Sequence, residues 1–213
     1  MKKYLVEFIG TFLFVLVIVV AVNNGAAGGF AALAIGATLM VVVYAGGHIS
    51  GGHYNPAVTL AVFMRGKCEG KDVLPYILSQ ILGAALAALT AAYLLGTVEG
   101  ATVPANPASL NMLPSLVAEF IGTFALCYVV LQTATTVSTV GNSYYGLAIG
   151  FTVTVMAYSL GAVSGGAFNP AVAVGITTAS MKAWADIWIF LVANFAGGAV
   201  AALVFSYVYG RGE

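Results

Sequence analysis

The stretch SGGHYNPAV at residues 50–58 occurs a second time, with two changes, as SGGAFNPAV at residues 164–172. Each copy joins a Gly-Gly pair to an Asn-Pro-Ala triplet. The copies are 114 residues apart, and the same offset superimposes LAIG at 33–36 on LAIG at 147–150. The chain therefore contains one structural unit twice.

Composition places both units in a membrane. Of the 213 residues, 61% are apolar and 7% are charged, whereas roughly a quarter are charged in soluble domains. Four runs without Asp, Glu, Lys or Arg are each long enough for at least one bilayer-spanning helix of ~20 residues: 8–64, 73–98, 120–181 and 187–210. The net charge of zero gives no indication of a nucleic-acid partner.

Clusters of Gly, Asn and Pro divide these runs into six predicted spans, near 4–22, 30–47, 73–95, 114–137, 144–161 and 184–208. Two shorter apolar pieces remain, beginning at Asn55 and Asn169. From Asn55 to Met64 there are ten residues, about 15 Å of helix, which is half of a ~30 Å hydrocarbon core. We therefore predict an all-α membrane protein with six transmembrane helices and two half-spanning helices.

The two units are predicted to be inverted relative to each other. Each holds three spans and one half helix, and because three is odd, the second unit enters the membrane from the opposite side. We expect one transmembrane channel domain made of repeats 1–100 and 114–213, joined by an outer loop near 96–113. The half helices then enter from opposite faces and meet head to head near the midplane.

The distribution of basic residues predicts the orientation of the chain. With a cytoplasmic N-terminus, only Lys182 lies outside, and the bias of Lys and Arg toward the cytoplasm is satisfied. The residues on the inside are then Lys2, Lys3, Arg65, Lys67, Lys71 and Arg211. Both termini are expected in the cytoplasm.

The Asn-Pro-Ala triplets suit helix starts that face a cavity. Asn is a favoured N-cap, and Pro at the first helical position gives up an N–H that would be unpaired there. Non-helical backbone at membrane depth needs protein or a water-filled cavity around it. The side-chain oxygens of Asn55 and Asn169 are expected to cap their helices, and the amide NH2 groups to donate into the lumen. A single-file water there is expected to turn its oxygen toward both amides, which orients its neighbours in opposite directions and interrupts proton hopping. The two positive helix ends disfavour cations.

The motifs resemble those of the aquaporins, the major intrinsic protein family, over essentially the whole chain. The resemblance is carried by Asn55-Pro56-Ala57, by Asn169-Pro170-Ala171, by GHISGGHYNPAVT around the first triplet and by EFIGTF opening each half. It implies a bundle of six helices around one pore per subunit, and a homotetramer in the lipid membrane. A third triplet, Asn106-Pro107-Ala108, has no Gly-Gly before it and no apolar run after it, and is interpreted as a coincidence.

Glu7 and Glu119 begin the two EFIGTF segments and lie inside predicted spans. Placing a carboxylate inside a transmembrane span costs free energy, so its presence indicates a specific role. The resemblance implies that both glutamates are structural acceptors that hold the half-helix loops in place. A proton-relay role is the alternative.

The resemblance also places the selectivity filter, at Ile35, Ala157, Gly166 and Val172. Val172 stands where relatives have an arginine, and Ala173 where glycerol-conducting relatives commonly have an aspartate. Loss of the guanidinium and of aromatic bulk predicts a wide, apolar filter. A wide filter favours the passage of larger solutes, whereas an apolar one offers water few hydrogen bonds. The sequence does not decide which of these two effects is larger.

Histidines and cysteines give no indication of a metal or cofactor. His48 and His53 are five residues apart, which does not place two ligands on one helix face. His53 is expected to line the inner vestibule, as in relatives, or to make a structural hydrogen bond. Cys68 falls in a basic loop and Cys127 in a span, so no disulfide is expected.

The sequence therefore predicts a passive channel in the plasma membrane for water and small uncharged solutes. A strictly water-selective aquaporin is the alternative. A secondary transporter shares inverted repeats but usually needs intramembrane charges, and an ion channel would desolvate ions in an apolar ring. No nucleophile–base pair, carboxylate dyad or metal cluster occurs in any apolar run, so no enzymatic activity is expected.

Overall fold

The computed structural model of the protein describes residues 1–25, 27–97 and 109–210. Within these ranges the chain forms eight α-helices: α1 Lys2–Asn23, α2 Ala31–Ser50, α3 Pro56–Met64, α4 Gly70–Leu95, α5 Met112–Ala134, α6 Tyr145–Ser164, α7 Pro170–Thr178 and α8 Ile187–Tyr209. The third Asn-Pro-Ala triplet and most of the loop predicted near 96–113 lie outside the described residues.

The long helices confirm the predicted all-α membrane fold. α1, α2, α4, α5, α6 and α8 belong to six segments that are long and apolar enough to span a membrane. α3 and α7 have nine residues each, which is half of a span. On α4, Leu74, Leu78, Leu82 and Leu86 are 46–63% exposed on one face. Such a face suits lipid, and the protein is a multi-pass membrane protein.

Five predicted boundaries were wrong by three residues: the ends of α2, α5 and α6, and the starts of α4 and α8. α2 continues to Ser50 because the stop signal is Gly51, whose left-handed φ of 90° ends the helix while its N–H bonds to the Gly47 carbonyl. α5 ends at Ala134 instead of 137, because the Thr135 and Thr136 hydroxyls bond to the Leu131 carbonyl.

The packing repeats between the two halves of the chain. α1 lies along α4 in the same way that α5 lies along α8, and α2 packs against α6 across the two halves. Glycines allow the closest crossings: a methyl group on Gly83 would lie 2.5 Å from the Phe8 carbonyl oxygen, and one on Gly197 would lie 2.7 Å from that of Phe120. Each half helix packs mainly on the other half's long helix, α3 on α8 and α7 on α4.

Candidate functional site

Each half helix begins at an asparagine that caps it. Asn55 has an extended backbone, and its side-chain oxygen accepts hydrogen bonds from the N–H groups of Ala57 at 2.8 Å and Val58 at 3.4 Å. Asn169 repeats this arrangement with Ala171 at 2.8 Å and Val172 at 3.4 Å. Two of the N–H groups that a helix start leaves unpaired are thus satisfied in each half.

The amide nitrogens link the two halves, which corrects the expectation that both NH2 groups face only the lumen. Asn55 Nδ2 donates to the Phe168 carbonyl at 3.0 Å, and Asn169 Nδ2 donates to the Tyr54 carbonyl at 2.9 Å. Loop carbonyls at this depth need a donor, because buried backbone groups are rarely left unpaired. An amide carries two N–H groups, so each asparagine keeps one for the cavity between them.

The residues before the asparagines have unusual backbone geometry. Tyr54 and Phe168 have φ values of 49° and 48°, a left-handed region that non-glycine residues rarely adopt and that costs about 1–3 kcal/mol. This geometry turns each carbonyl toward the asparagine of the other half. The side chains of Tyr54 and Phe168 are buried against Gly10 and Gly122, where a Cβ would collide with either ring.

The glutamates of the EFIGTF segments accept hydrogen bonds from these loops. Glu7 accepts from the N–H groups of His53 at 2.9 Å and Tyr54 at 2.7 Å, and from the Ser50 hydroxyl at 2.7 Å. Gln80 adds a fourth hydrogen bond, from its Nε2 at 2.8 Å.

Glu119 repeats the pattern in the second half. It accepts from the N–H groups of Ala167 at 2.9 Å and Phe168 at 2.7 Å, and from the Ser164 hydroxyl at 2.6 Å. Sequence reasoning did not single out the two serines, although both begin the repeated SGG. Each serine joins its loop to its glutamate.

Among the cavities in the described part of the chain, three are lined by the asparagines, by His53 or by the predicted filter residues. On the side of the chain termini, a cavity of about 310 Å³ lies between α4 and the ends of α2, α3 and α5; we call it the termini-side cavity. The central cavity, of about 10 Å³, contains Asn55 and Asn169 and has room for about one water. On the opposite side lies the far-side cavity, of about 550 Å³.

All four predicted filter residues, Ile35, Ala157, Gly166 and Val172, line the far-side cavity. Val172 is 1% exposed, and its N–H is already bonded to the Asn169 cap. The ring that these side chains form carries no charge. Lys182 lines the same cavity, and sequence reasoning did not assign it to this group.

The walls of the central cavity were also missed from the sequence. Phe14 and Leu126 come from corresponding places after the two EFIGTF glutamates, and Leu39 and Val153 are 114 residues apart on α2 and α6. An apolar side chain on an apolar helix carries no sign of whether it meets lipid, protein or a pore. The repeat itself was the available signal, because these residues pair across it.

His53 lies between the central and termini-side cavities and lines both. It is 8% exposed, and its Nδ1 is 3.1 Å from the Thr59 hydroxyl oxygen. Its ring centroid is 5.0 Å from that of Tyr76. Both expectations for this residue, a place on the vestibule and a structural hydrogen bond, correspond to contacts that it makes.

Fold and site together describe a multi-pass membrane protein in which cavities from the two faces converge on a pair of helix-capping asparagines. A family model of the major intrinsic proteins matches residues 1–205. The chain belongs to the major intrinsic protein family. Members of this family are channels rather than enzymes, in agreement with the class of protein that the sequence predicts.

Several relatives are similar along much of the chain. Aquaporin NIP1-2 of Arabidopsis thaliana is 36% identical over 83% of this chain, which spans 62% of that relative's length. A probable TIP-type aquaporin of Medicago truncatula is 35% identical over 98% of this chain and 87% of its own length. Aquaporin Z of Brucella melitensis is 31% identical over 84% and 82%, respectively.

A solved structure shows the same fold. The X-ray structure of the aquaglyceroporin from Plasmodium falciparum superimposes with a TM-score of 0.83 and covers 98% of this chain and 96% of its own. The two sequences are 20% identical, so the likeness concerns the fold.

Proposed function

We propose that the protein is a passive transmembrane channel for water and small uncharged solutes. The observation that carries this proposal is the position of the central cavity, which is lined by both asparagines and has room for about one water. It shares His53 and Val130 with the termini-side cavity. On its other side, Ala167 follows Gly166 in sequence, and Asn169 accepts a hydrogen bond from the Val172 N–H. Gly166 and Val172 both line the far-side cavity. Solutes pass between the faces through these cavities in single file.

The asparagine pair orients the water that passes. Each amide has one N–H left after its bond to the other loop, and both helix N-termini carry partial positive charge. The water between them turns its oxygen to these donors, so its neighbours on the two sides point in opposite directions. Proton hopping is interrupted and cations are disfavoured at this point.

Size selection occurs at the central cavity, and the four-residue ring acts as a wide, apolar filter on the far side. The difference in volume, about 10 Å³ against about 550 Å³, supports this division. The alternative is a strictly water-selective pore. It is favoured by the same small central volume, since the walls must move to admit glycerol.

The remaining site residues have supporting roles in this proposal. Glu7 and Glu119 hold the half-helix loops through the backbone N–H bonds described above, and His53 lines the vestibule toward the termini. We keep as proposals the division into repeats 1–100 and 114–213, and a homotetramer in the plasma membrane with both termini in the cytoplasm. Light scattering of the detergent-solubilised protein, corrected for bound detergent, tests the tetramer.

Stopped-flow light scattering on proteoliposomes tests the function. Water efflux under an impermeant osmolyte is compared with re-swelling in glycerol and in urea, with empty vesicles as the baseline. We expect both water efflux and solute re-swelling above the baseline. Fast water efflux with solute re-swelling at the baseline establishes the water-selective alternative, and water efflux at the baseline refutes a channel for water.

A further inference from the structure

The loop after α7 brings a lysine back to the pore. Ser180 has a φ of 60°, and the chain turns there, with the Met181 N–H bonded to the Ile176 carbonyl at 2.9 Å. Lys182 then lines the far-side cavity together with the ring residues Gly166 and Val172. A residue in a connecting loop thus becomes part of the pore wall.

Neighbouring contacts fix the position of this lysine. A methyl group added to Gly165, the residue before the ring residue Gly166, would collide with Lys182 Cε and lie 2.8 Å from its Nζ. Gly165 has a φ of 103°, so its bare backbone provides the surface on which the lysine side chain lies. Met181 is held from the other side, because its sulfur accepts a hydrogen bond from Asn23 Nδ2 at 3.3 Å.

Lys182 is the charged residue of this cavity. Among the residues that line it, all of them in the described part of the chain, no other side chain is charged. Lys182 forms no ion pair with a carboxylate of the described residues. Glu119 on α5 and Asp186 before α8 are the acidic groups that act on it from a distance. A half-buried ammonium in an apolar cavity repels cations over the whole opening.

The corresponding place in the first half of the chain carries no charge. Cys68, 114 residues earlier, follows a similar turn, in which Gly66 has a φ of 79° and the Lys67 N–H bonds to the Val62 carbonyl at 3.0 Å. Cys68 lines the termini-side cavity, whose lining includes both basic and acidic side chains. The termini-side cavity therefore has carboxylates beside its lysines, whereas the lining of the far-side cavity has a lysine and no carboxylate.

We propose that Lys182 is a specificity-determining residue, which makes the far-side mouth exclude small cations while neutral solutes of the same size pass. The proposal rests on the proposed channel function. It explains how a wide ring without charge remains selective. The ring admits solutes of different sizes, and the amine beside it excludes those that carry positive charge. The three N–H donors of the ammonium also offer hydrogen bonds to carbonyl and hydroxyl oxygens of passing solutes.

Urea and guanidinium are matched probes for this role, since both are small and planar and differ by one charge. Uptake of each radiolabelled probe is measured in proteoliposomes, with potassium and valinomycin present to balance charge. The wild type is expected to take up urea and exclude guanidinium. Lys182→Met keeps the length of the side chain and removes the charge, and we expect guanidinium uptake to rise by about tenfold or more, with urea uptake little changed.

Three further variants complete the test. Lys182→Arg keeps the charge and should exclude guanidinium as the wild type does. Lys182→Gln repeats the loss of charge with a polar side chain, in case the methionine variant folds poorly. Lys2→Met removes the same charge from an exposed lysine of α1 that lines none of these three cavities, and should leave guanidinium uptake unchanged. Osmotic water efflux checks that each variant forms a pore.

The two proposals fail in different ways. Wild-type urea uptake and water efflux at the level of empty vesicles would refute the channel function. For Lys182, the deciding comparison is guanidinium uptake by the charge-removing variants against the wild type. Equal uptake overturns the proposal, whether that uptake is low or high, and a rise that Lys182→Arg does not show supports it.

Discussion

In the proposed channel, Val172 contributes to the apolar character of the far-side mouth. Its N–H is bonded to the Asn169 oxygen, so its backbone is fixed, and its isopropyl group lines the far-side cavity with Ile35, Ala157 and Gly166. These side chains supply neither charge nor hydrogen bonds to a solute. The polar side chains of this cavity therefore come from outside the ring: Asn23, Tyr158 and Lys182, of which Lys182 is charged.

Val172→Arg should narrow this mouth. A long guanidinium side chain introduced beside Gly166 fills part of the far-side cavity and adds N–H donors for water. We expect re-swelling in glycerol and urea to fall several-fold in stopped-flow measurements, and water efflux to fall less. Unchanged ratios of solute to water flux would show that Val172 does not belong to the filter. Val163→Arg, at an exposed position of α6, is the control for adding the same charge elsewhere.

Alkaline pH should weaken cation exclusion by the wild type. Burial of Lys182 lowers the pKa of its ammonium, while Glu119 and Asp186 act in the opposite direction. Because the net shift is downward, the charge is lost at a lower pH than for an ordinary lysine, and guanidinium uptake should rise there. Lys182→Arg, which stays charged, should remove the part of the rise that is due to the lysine.

Each half helix follows a loop whose backbone N–H groups donate hydrogen bonds to a buried carboxylate. Glu119 satisfies two backbone N–H groups of a segment that contains the positive φ of Phe168, and the Asn169 cap follows directly. The loop geometry and the helix start thus form one connected unit. Removing the carboxylate affects both.

Glu119→Ala should destabilise the protein through this unit. The N–H groups of Ala167 and Phe168 lose their acceptor, at a cost of about 1–3 kcal/mol for each buried unpaired group. Glu119→Gln keeps an acceptor oxygen and should cost less. Thermal unfolding in detergent measures both, with the exposed Glu69→Ala as the control, expected within about 1 kcal/mol of the wild type. A Glu119→Ala protein that melts like the wild type would contradict the structural role.

The close crossing of α1 and α4 should make Gly83 sensitive to substitution. In Gly83→Val the new Cβ would lie 2.5 Å from the Phe8 carbonyl oxygen, so the helices must separate, at about 1–3 kcal/mol. Leu82→Val, on the exposed face of the same helix, should have little effect. Comparing the two melting temperatures in detergent checks this, and equal values would show that the contact is not tight.

For the molecule as a whole, the sequence predicts the helices well and the pore walls poorly. Apolar runs, glycine breaks and the duplicated triplet determine six spans and two half helices, because bilayer thickness fixes how many residues each must contain. Whether Phe14 or Leu126 lines the central cavity depends instead on the orientation of each helix about its own axis, which the sequence does not give. Lys182 was predicted only as a charge on the outer side. The turn that brings it to the cavity depends on the positive φ of Ser180, which a serine does not indicate in a sequence. Gly66, at the matching place in the first half, was the available signal.

From the volumes of the cavities we infer that solutes are selected by size at the asparagine pair and not at the far-side ring. The most direct test is stopped-flow glycerol re-swelling of proteoliposomes containing wild type, Leu126→Ala or Ile35→Ala. Leu126 lines the cavity of about 10 Å³ and Ile35 that of about 550 Å³. We predict that Leu126→Ala raises the glycerol rate several-fold while Ile35→Ala leaves it unchanged. A rise with Ile35→Ala and none with Leu126→Ala would show that size is selected at the far-side ring instead.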